Sequence, residues 1–301
     1  MSDLIHVTAG GGVGDFIYSY IKRRKWKLLE NVKKFNPNLK IAAILLCHSS
    51  SANELIAMNP YIDITVRQEW FPPGHEKEKM WKQLINSIDI DKYARDNNIK
   101  PGHSKIYLNK SEQQFLNEIK QNKYIVCHPF AGLPHRGFFP HPKDNKYKCY
   151  PYYKCQESLI NLVDAGYKIV LVGRSEKNMK GIRNHDEKFE VPNKIKNQTY
   201  NLVDSTSLRF NAEVTRNANG FLGSHSSMLS AAWTNAVPSV YFYPTRDEHG
   251  NVRSVKEHGG ETGTWAMDKP WTYGFEMTPN EFLDLSSAKV SNKLLQLMEN
   301  K

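Results

Sequence analysis

Leu4-Ile5-His6-Val7-Thr8-Ala9-Gly10-Gly11-Gly12-Val13-Gly14-Asp15 is the stretch on which the reading of the chain turns. An apolar run of strand length, Leu4 to Val7, gives way to glycines and then to a segment with Ile17, Ile21, Leu28 and Val32 at helical spacing. Strand, glycine turn and helix make the first βα unit of an open sheet, and the N–H groups at such a helix start suit an anion or a closely approaching substrate. A dinucleotide fingerprint fails on register. Glycines at 10 and 12 put the third glycine at position 15, which is aspartate, and an acid there would repel a pyrophosphate. Asp15 has two readings. It is either a capping aspartate at a helix start, or a carboxylate, its negative charge favoured by the dipole, that takes a proton from an incoming hydroxyl. Gly12 and Gly14 bare the backbone beside it and are the candidate acceptor contacts.

The alternation continues outward from this unit. Ile41 to Leu46 and Ile62 to Val66 read as further strands, and Glu112 to Lys120 as a helix. The polar Gln121-Asn122-Lys123 reads as a link between two domains, 1–122 and 123–301. After it, Tyr124 to Cys127 reads as a strand, Tyr152 to Ala165 as a helix stopped by Gly166, and Lys168 to Val172 as a strand ending at Gly173. A helix near Ser207, a strand Gly220 to Leu222, a helix from about Ser226, a strand Ser239 to Phe242 and a closing helix from Pro279 complete the pattern. The expected class is α/β, two consecutive Rossmann-like units with mostly parallel sheets.

Composition narrows the functional classes. Of 301 residues, 40% are hydrophobic and 24% charged, which supports packed cores and excludes a disordered chain. No apolar run approaches the length of a membrane span, and no basic n-region with an apolar h-region follows Met1, so a soluble, cytoplasmic protein without a signal peptide is expected. Against 31 acids stand 41 bases, a net charge of +10, which predicts an anionic partner and allows contact with a membrane surface. Cys47, Cys127, Cys149 and Cys155 contain no C-x-x-C pair, so neither a disulfide framework nor a zinc site is expected.

Two segments of the second half carry the strongest chemical signal. Strand Tyr124 to Cys127 runs into His128-Pro129-Phe130-Ala131-Gly132, and Lys148-Cys149-Tyr150-Pro151 opens the next helix. Further on, Gly223-Ser224-His225-Ser226-Ser227-Met228-Leu229-Ser230-Ala231-Ala232 leads to Ala236-Val237-Pro238. Small residues and hydroxyls between a strand and a helix make a phosphate cradle without a Walker sequence. With Gly14-Asp15, these segments taken in order resemble glycosyltransferase family nine, the bacterial lipopolysaccharide heptosyltransferases, in their Gly-Asp, His-Pro-Gly-Ala, Lys-x-Trp-Pro and small-residue-to-Val-Pro blocks. The resemblance also takes in Glu54-Leu55, Pro60 to Asp63 and the last helix, and so covers most of the chain.

The resemblance implies a GT-B architecture, two Rossmann-like domains facing each other across a cleft, with an acceptor domain first, a nucleotide-sugar domain second, and a last helix that can pack back on the first. It implies that Asp15 is the catalytic base, that Lys148 contacts the donor phosphates, and that Gly223, Ser224, His225, Ser226 and Ser227 line the nucleotide-sugar site. His128 and Gly173 sit at strand ends facing the same donor, and Glu176 is placed to accept from a ribose. Lys148, Arg136 and helix N-termini, rather than a metal, are expected to neutralise the leaving diphosphate, and no cofactor is expected. The chain departs from the family pattern at His225, where an acid is usual, at Ser230, where a histidine is, and at Met228, where a proline is. His225 either bonds a sugar hydroxyl or phosphate, or caps the helix that follows.

Lys22-Arg23-Arg24-Lys25-Trp26-Lys27 puts cations on the first domain, with Arg23, Arg24 and Lys27 the candidate acceptor contacts. The expected acceptor is a lipopolysaccharide-core-type saccharide. An alternative is DNA carrying hydroxymethylated bases, with Trp70 to Pro73 or Phe138-Phe139 stacking on an extruded base. A third reading is a protein that binds a nucleotide sugar or glycan without turnover.

Overall fold

The computed structural model describes residues 4–47, 52–67, 82–84, 86–129, 150–173, 189–244 and 269–300. The chain divides into two compact units, residues 1–109 with 207–209 and residues 110–206 with 210–301. Both are α/β with parallel sheets, the class expected from the sequence.

In the first unit the elements run β1 (Leu4–Gly11), α1 (Val13–Lys22), α2 (Arg24–Lys27), α3 (Leu29–Phe35), β2 (Lys40–Cys47), α4 (Ala52–Ile56), β3 (Ile64–Arg67), β4 (Ile88–Asp89) and α5 (Ile90–Asp96). The sheet order is β3-β2-β1-β4, with Leu4 opposite Lys40 and Gly11 opposite Cys47. Ile41, Ala42, Ala43, Ile44 and Leu45 are all fully buried, so both faces of β2 are covered, as a parallel sheet requires.

The first helical segment departs from the sequence expectation of one continuous helix. At Arg23 the backbone turns extended, with φ −75° and ψ 142°, and a short second helix follows. A continuous helix would carry Lys25 inward on the stripe of Ile17, Ile21 and Leu28. The break instead turns Trp26 in, edge-on to Phe16 and Tyr20 at 5.6 and 5.2 Å between ring centroids. Aromatic packing of this kind decides against the uninterrupted helix.

The second unit begins with α6 (Lys110–Ile119) and continues through β5 (Tyr124–His128), α7 (Tyr152–Asp164), β6 (Lys168–Leu171), a 3₁₀ turn Asn193–Gln198 and β7 (Thr199–Asn201). It ends with α8 (Leu208–Arg216), β8 (Gly220–Ser224), α9 (Ser227–Thr234), β9 (Ser239–Pro244), β10 (Thr272–Met277), α10 (Pro279–Asp284) and α11 (Ser287–Glu299). Its sheet order is β10-β9-β8-β5-β6-β7. β5 and β8, at the centre, are buried at every residue.

The unit boundary falls at 109/110 rather than at the polar 121–123 link, because α6 packs into the second unit: Phe115 stacks on Phe210 with centroids 5.5 Å apart and planes 4° from parallel. The closing helix is two helices. Ser286 caps the second of them by accepting from Lys289 N–H at 3.3 Å. That last helix lies in the second unit's own core, where Val290, Leu294 and Leu297 join Ile125, Leu159 and Leu222. Among the described residues no helix is long and apolar enough to cross a membrane.

Truncating Leu294 to alanine leaves a cavity under α11, and the expected cost is about 3 kcal/mol of unfolding free energy in a urea titration. Amide exchange should quicken in α7 and β8 and stay unchanged in β1 and β2.

Candidate active site

The second sheet reverses direction once. From β5 the chain adds β6 and β7 on one side, then returns to place β8 against the other side of β5, so the strand order switches between β5 and β8. In open parallel sheets ligands bind at the carboxyl ends of the strands flanking such a switch. Here those ends are His128-Pro129 and Gly223-Ser224, with His128 and Gly223 register partners.

The two strand ends lock together through side chains the sequence singles out. A Cβ at Gly223 would run into the carbonyl oxygen of His128, a backbone atom of the neighbouring strand, so only glycine permits the approach. Ser224 Oγ donates to the Pro129 carbonyl at 3.3 Å. Ser226 Oγ and His128 Nδ1 share a hydrogen bond of 3.0 Å. His128 is 8% exposed, and burial drives its pKa from 6.5 down to about 4, so the imidazole is neutral near pH 7.

Ser226 is also the N-cap residue of α9, extended at φ −152° and ψ 177°, yet its side chain makes no cap hydrogen bond. Its hydroxyl goes to His128 instead, and the first turn of α9 carries no acid. The positive end of that helix, beginning at Ser227, therefore lacks both usual internal compensations. Gly173 follows β6, on the other side of β5, and its carbonyl accepts from Asp204 N–H at 3.1 Å.

His225 is not the helix cap. Its N–H donates to the Phe242 carbonyl at 3.2 Å, and its half-exposed ring stands against Tyr243, Trp233 and Tyr241, with centroids 5.4, 6.1 and 6.1 Å away. Sequence reasoning missed this aromatic surround. The period-two alternation of Ser239 to Tyr243 holds the signal, since it puts Tyr241 and Tyr243 on one face. Met228 and Ser230, the other two departures from the family pattern, are buried within α9. Lys148, Arg136 and Glu176 lie outside the described residues.

In the first unit Asp15 is the third residue of α1, not its cap. Gly12 is the cap residue, and its N–H donates to Asp15 Oδ2 at 3.0 Å. The carboxylate stays at the surface while accepting from the helix start. Gly11 makes room for it. Its φ is +90°, and a Cβ there would fall 2.8 Å from both Asp15 Cβ and Oδ2. Gly14 lies in the first turn, half-exposed.

The basic run is not one open strip. Arg23 is exposed at the helix break, but Arg24 Nε pairs with Asp91 Oδ1 at 3.2 Å, Lys25 donates to Thr8 Oγ1 at 2.8 Å, and Lys27 is half-buried. The break at Arg23 that brings Trp26 inward scatters these cations. The aromatics of Trp70 to Pro73 and Phe138-Phe139 fall outside the described residues. Cys127 and Cys155 are buried free thiols, 3.8 Å apart at sulfur. Among the described residues no group of three metal-ligating side chains occurs.

Solved structures share this architecture from end to end. The ADP-heptose lipopolysaccharide heptosyltransferase II of E. coli matches over 98% of this chain and 99% of its own, at 13% identity and a TM-score of 0.56. The glycosyl transferase family 9 protein of Veillonella parvula matches over 99% and 97%, at 13% identity and 0.53. E. coli heptosyltransferase WaaC with ADP-2-deoxy-2-fluoro heptose matches over 99% of both chains, at 11% identity and 0.52. The chain has the heptosyltransferase fold. No protein-family model matches it, and no curated protein sequence does.

Two measurements probe this geometry. Gly11→Ala forces a side chain into a left-handed backbone and against the Asp15 carboxylate, with an expected loss of about 1 to 2 kcal/mol in chemical denaturation. Gly10→Ala, whose Cβ meets only Leu46 Cβ at 3.7 Å, should be nearly neutral. For His128, the unfolded chain takes up the proton first as pH falls. Its stability contribution is therefore complete above about pH 6.5 and disappears towards pH 4, a change of about 3 kcal/mol. His6 is shifted the same way, chiefly by burial, so the difference between wild type and His128→Asn in melting temperature against pH isolates His128. A pH profile unchanged by that substitution would contradict the assignment.

Proposed function

We propose that the chain is an inverting, metal-independent glycosyltransferase that moves a sugar from a nucleoside-diphosphate donor to a hydroxyl of an anionic acceptor, a saccharide of the lipopolysaccharide-core type. The observation that carries the reading is Asp15, a surface carboxylate held at the first helix start in a chain whose fold runs the full length of sugar-nucleotide transferases. One of these, WaaC, is solved with an ADP-linked fluoro-heptose.

The chemistry assigns each unit a role. Asp15 accepts the proton of the acceptor hydroxyl, whose oxygen forms the new bond to the anomeric carbon. The bond from that carbon to the donor phosphate breaks on the opposite face, and its electron pair leaves with the diphosphate, so the configuration inverts. Stabilising that leaving charge falls to the start of α9 at Ser226 and Ser227, beside the Gly223 to His225 strand end, where the first helical turn carries no competing acid. Lys148 and Arg136 add positive charge in the same role. His128, neutral through burial, orients Ser226 without repelling or attracting the phosphates by charge. A cytoplasmic location belongs to the same reading, since nucleotide sugars are the donors.

Donor turnover by wild type and Asp15→Asn, with ADP-heptose and a panel of UDP- and GDP-sugars and a phosphorylated inner-core acceptor, tests the reading. Acceptor-dependent release of the diphosphate should fall by about a thousandfold in Asp15→Asn while diphosphate binding is retained. Equal turnover by the two proteins would remove Asp15 as the base. Diphosphate binding with no turnover of any donor would make this a binding protein, and transfer to hydroxymethylated DNA alone would replace the acceptor.

A further inference from the structure

Along α11, residues 289, 292, 293 and 296 follow the i, i+3, i+4, i+7 pattern of one helical stripe. That stripe and the outermost strand β10 enclose a groove of about 480 Å³, lined by Lys289, Asn292, Lys293 and Gln296 from the helix and Tyr273 and Phe275 from the strand. In the sheet it is separated from β8 by β9. We infer that this groove is a second binding site, for a phosphorylated saccharide, independent of the proposed transfer reaction.

The electrostatics come from strand and helix periodicity. Alternation on β10 sends Tyr273 and Phe275 to the helix face and Glu276 to the other, where its Oε1 accepts from the Tyr241 hydroxyl at 3.4 Å. Among the described residues no acidic side chain lines the groove, although two lysines do. Lys289 and Lys293 stand one turn apart, about 6 Å along the helix axis, an arrangement of like charges that costs helix stability by itself. Lys293 is held in place: it rests 4.6 Å from the Tyr273 ring centre and donates to Gln296 Oε1 at 3.1 Å. A phosphate monoester placed between the two lysines relieves their repulsion with charge-assisted hydrogen bonds.

The remaining groups select a sugar over a nucleic acid. Asn292 and Gln296 carry both donors and acceptors, matching vicinal hydroxyls. Tyr273, 39% exposed, has Lys293 over one face and Phe275 edge-on at 5.0 Å. Lys293 thus occupies one face of the ring on which a single-stranded base would stack.

Saturation-transfer NMR with trehalose 6-phosphate, trehalose, inorganic phosphate and oligothymidylate tests the site. Trehalose 6-phosphate should bind wild type, and the double variant Lys289→Gln/Lys293→Gln should bind it about tenfold more weakly, the loss of roughly one charge-assisted contact. Gln296→Glu, which sets a carboxylate beside Lys293, should weaken it likewise at an unchanged melting temperature. Lys110→Gln/Lys123→Gln, exposed lysines outside the groove, should bind like wild type. Absence of binding by wild type, equal binding by trehalose or by inorganic phosphate, tighter binding of oligothymidylate, or undiminished binding by the double variant would each overturn the assignment.

Discussion

The contact between β5 and β8 is the constraint that organises the second unit. Parallel strands at a switch point bring two carboxyl ends side by side, and here the Gly223 Cα lies against the His128 carbonyl with no room for a Cβ. From that approach follow the Ser224 bond to Pro129 and the Ser226 bond to His128. The second of these draws the cap residue's hydroxyl away from its own helix, which leaves the α9 start without a side-chain cap. A helix start with neither a side-chain cap nor a first-turn acid thus arises from strand packing.

The first unit solves a related problem with opposite charge. Its glycine turn ends in a carboxylate folded back on Gly12, and Gly11, at φ +90°, permits that approach because it has no Cβ to collide with the carboxylate. Capping holds the group in one orientation at the surface. A proton acceptor gains from this, since an oriented carboxylate loses less freedom when a substrate hydroxyl approaches. The structural role of Asp15 at the helix start does not exclude the chemical role proposed for it.

Local pattern made much of the fold legible. Continuous apolar runs such as Ile41 to Leu46 and Tyr124 to Cys127 read as strands because a parallel strand is buried on both faces and needs no alternation. The strands that went unread, Ile88–Asp89, Thr199–Asn201 and Thr272–Met277, are short, polar or glycine-containing, and pair at or near sheet edges. The helix break at Arg23 was equally invisible, since it serves the packing of Trp26 against Phe16 and Tyr20. For the same reason the 121–123 link misplaced the unit boundary: polarity marks a loop, whereas Phe115 on Phe210 marks where a helix belongs.

By itself the sequence determined the α/β class, the glycine turn with its carboxylate, and the small-residue segments at the ends of two strands, all of which depend on neighbours along the chain. Tertiary structure alone decided that His128 is buried and neutral, that it takes the Ser226 hydroxyl, that His225 stands among Trp233, Tyr241 and Tyr243, and that Arg24 is paired with Asp91. Each of these joins residues from different elements. Burial and hydrogen-bond partners are set by which strands become neighbours, and strand order is a property of the folded sheet that no local spacing encodes.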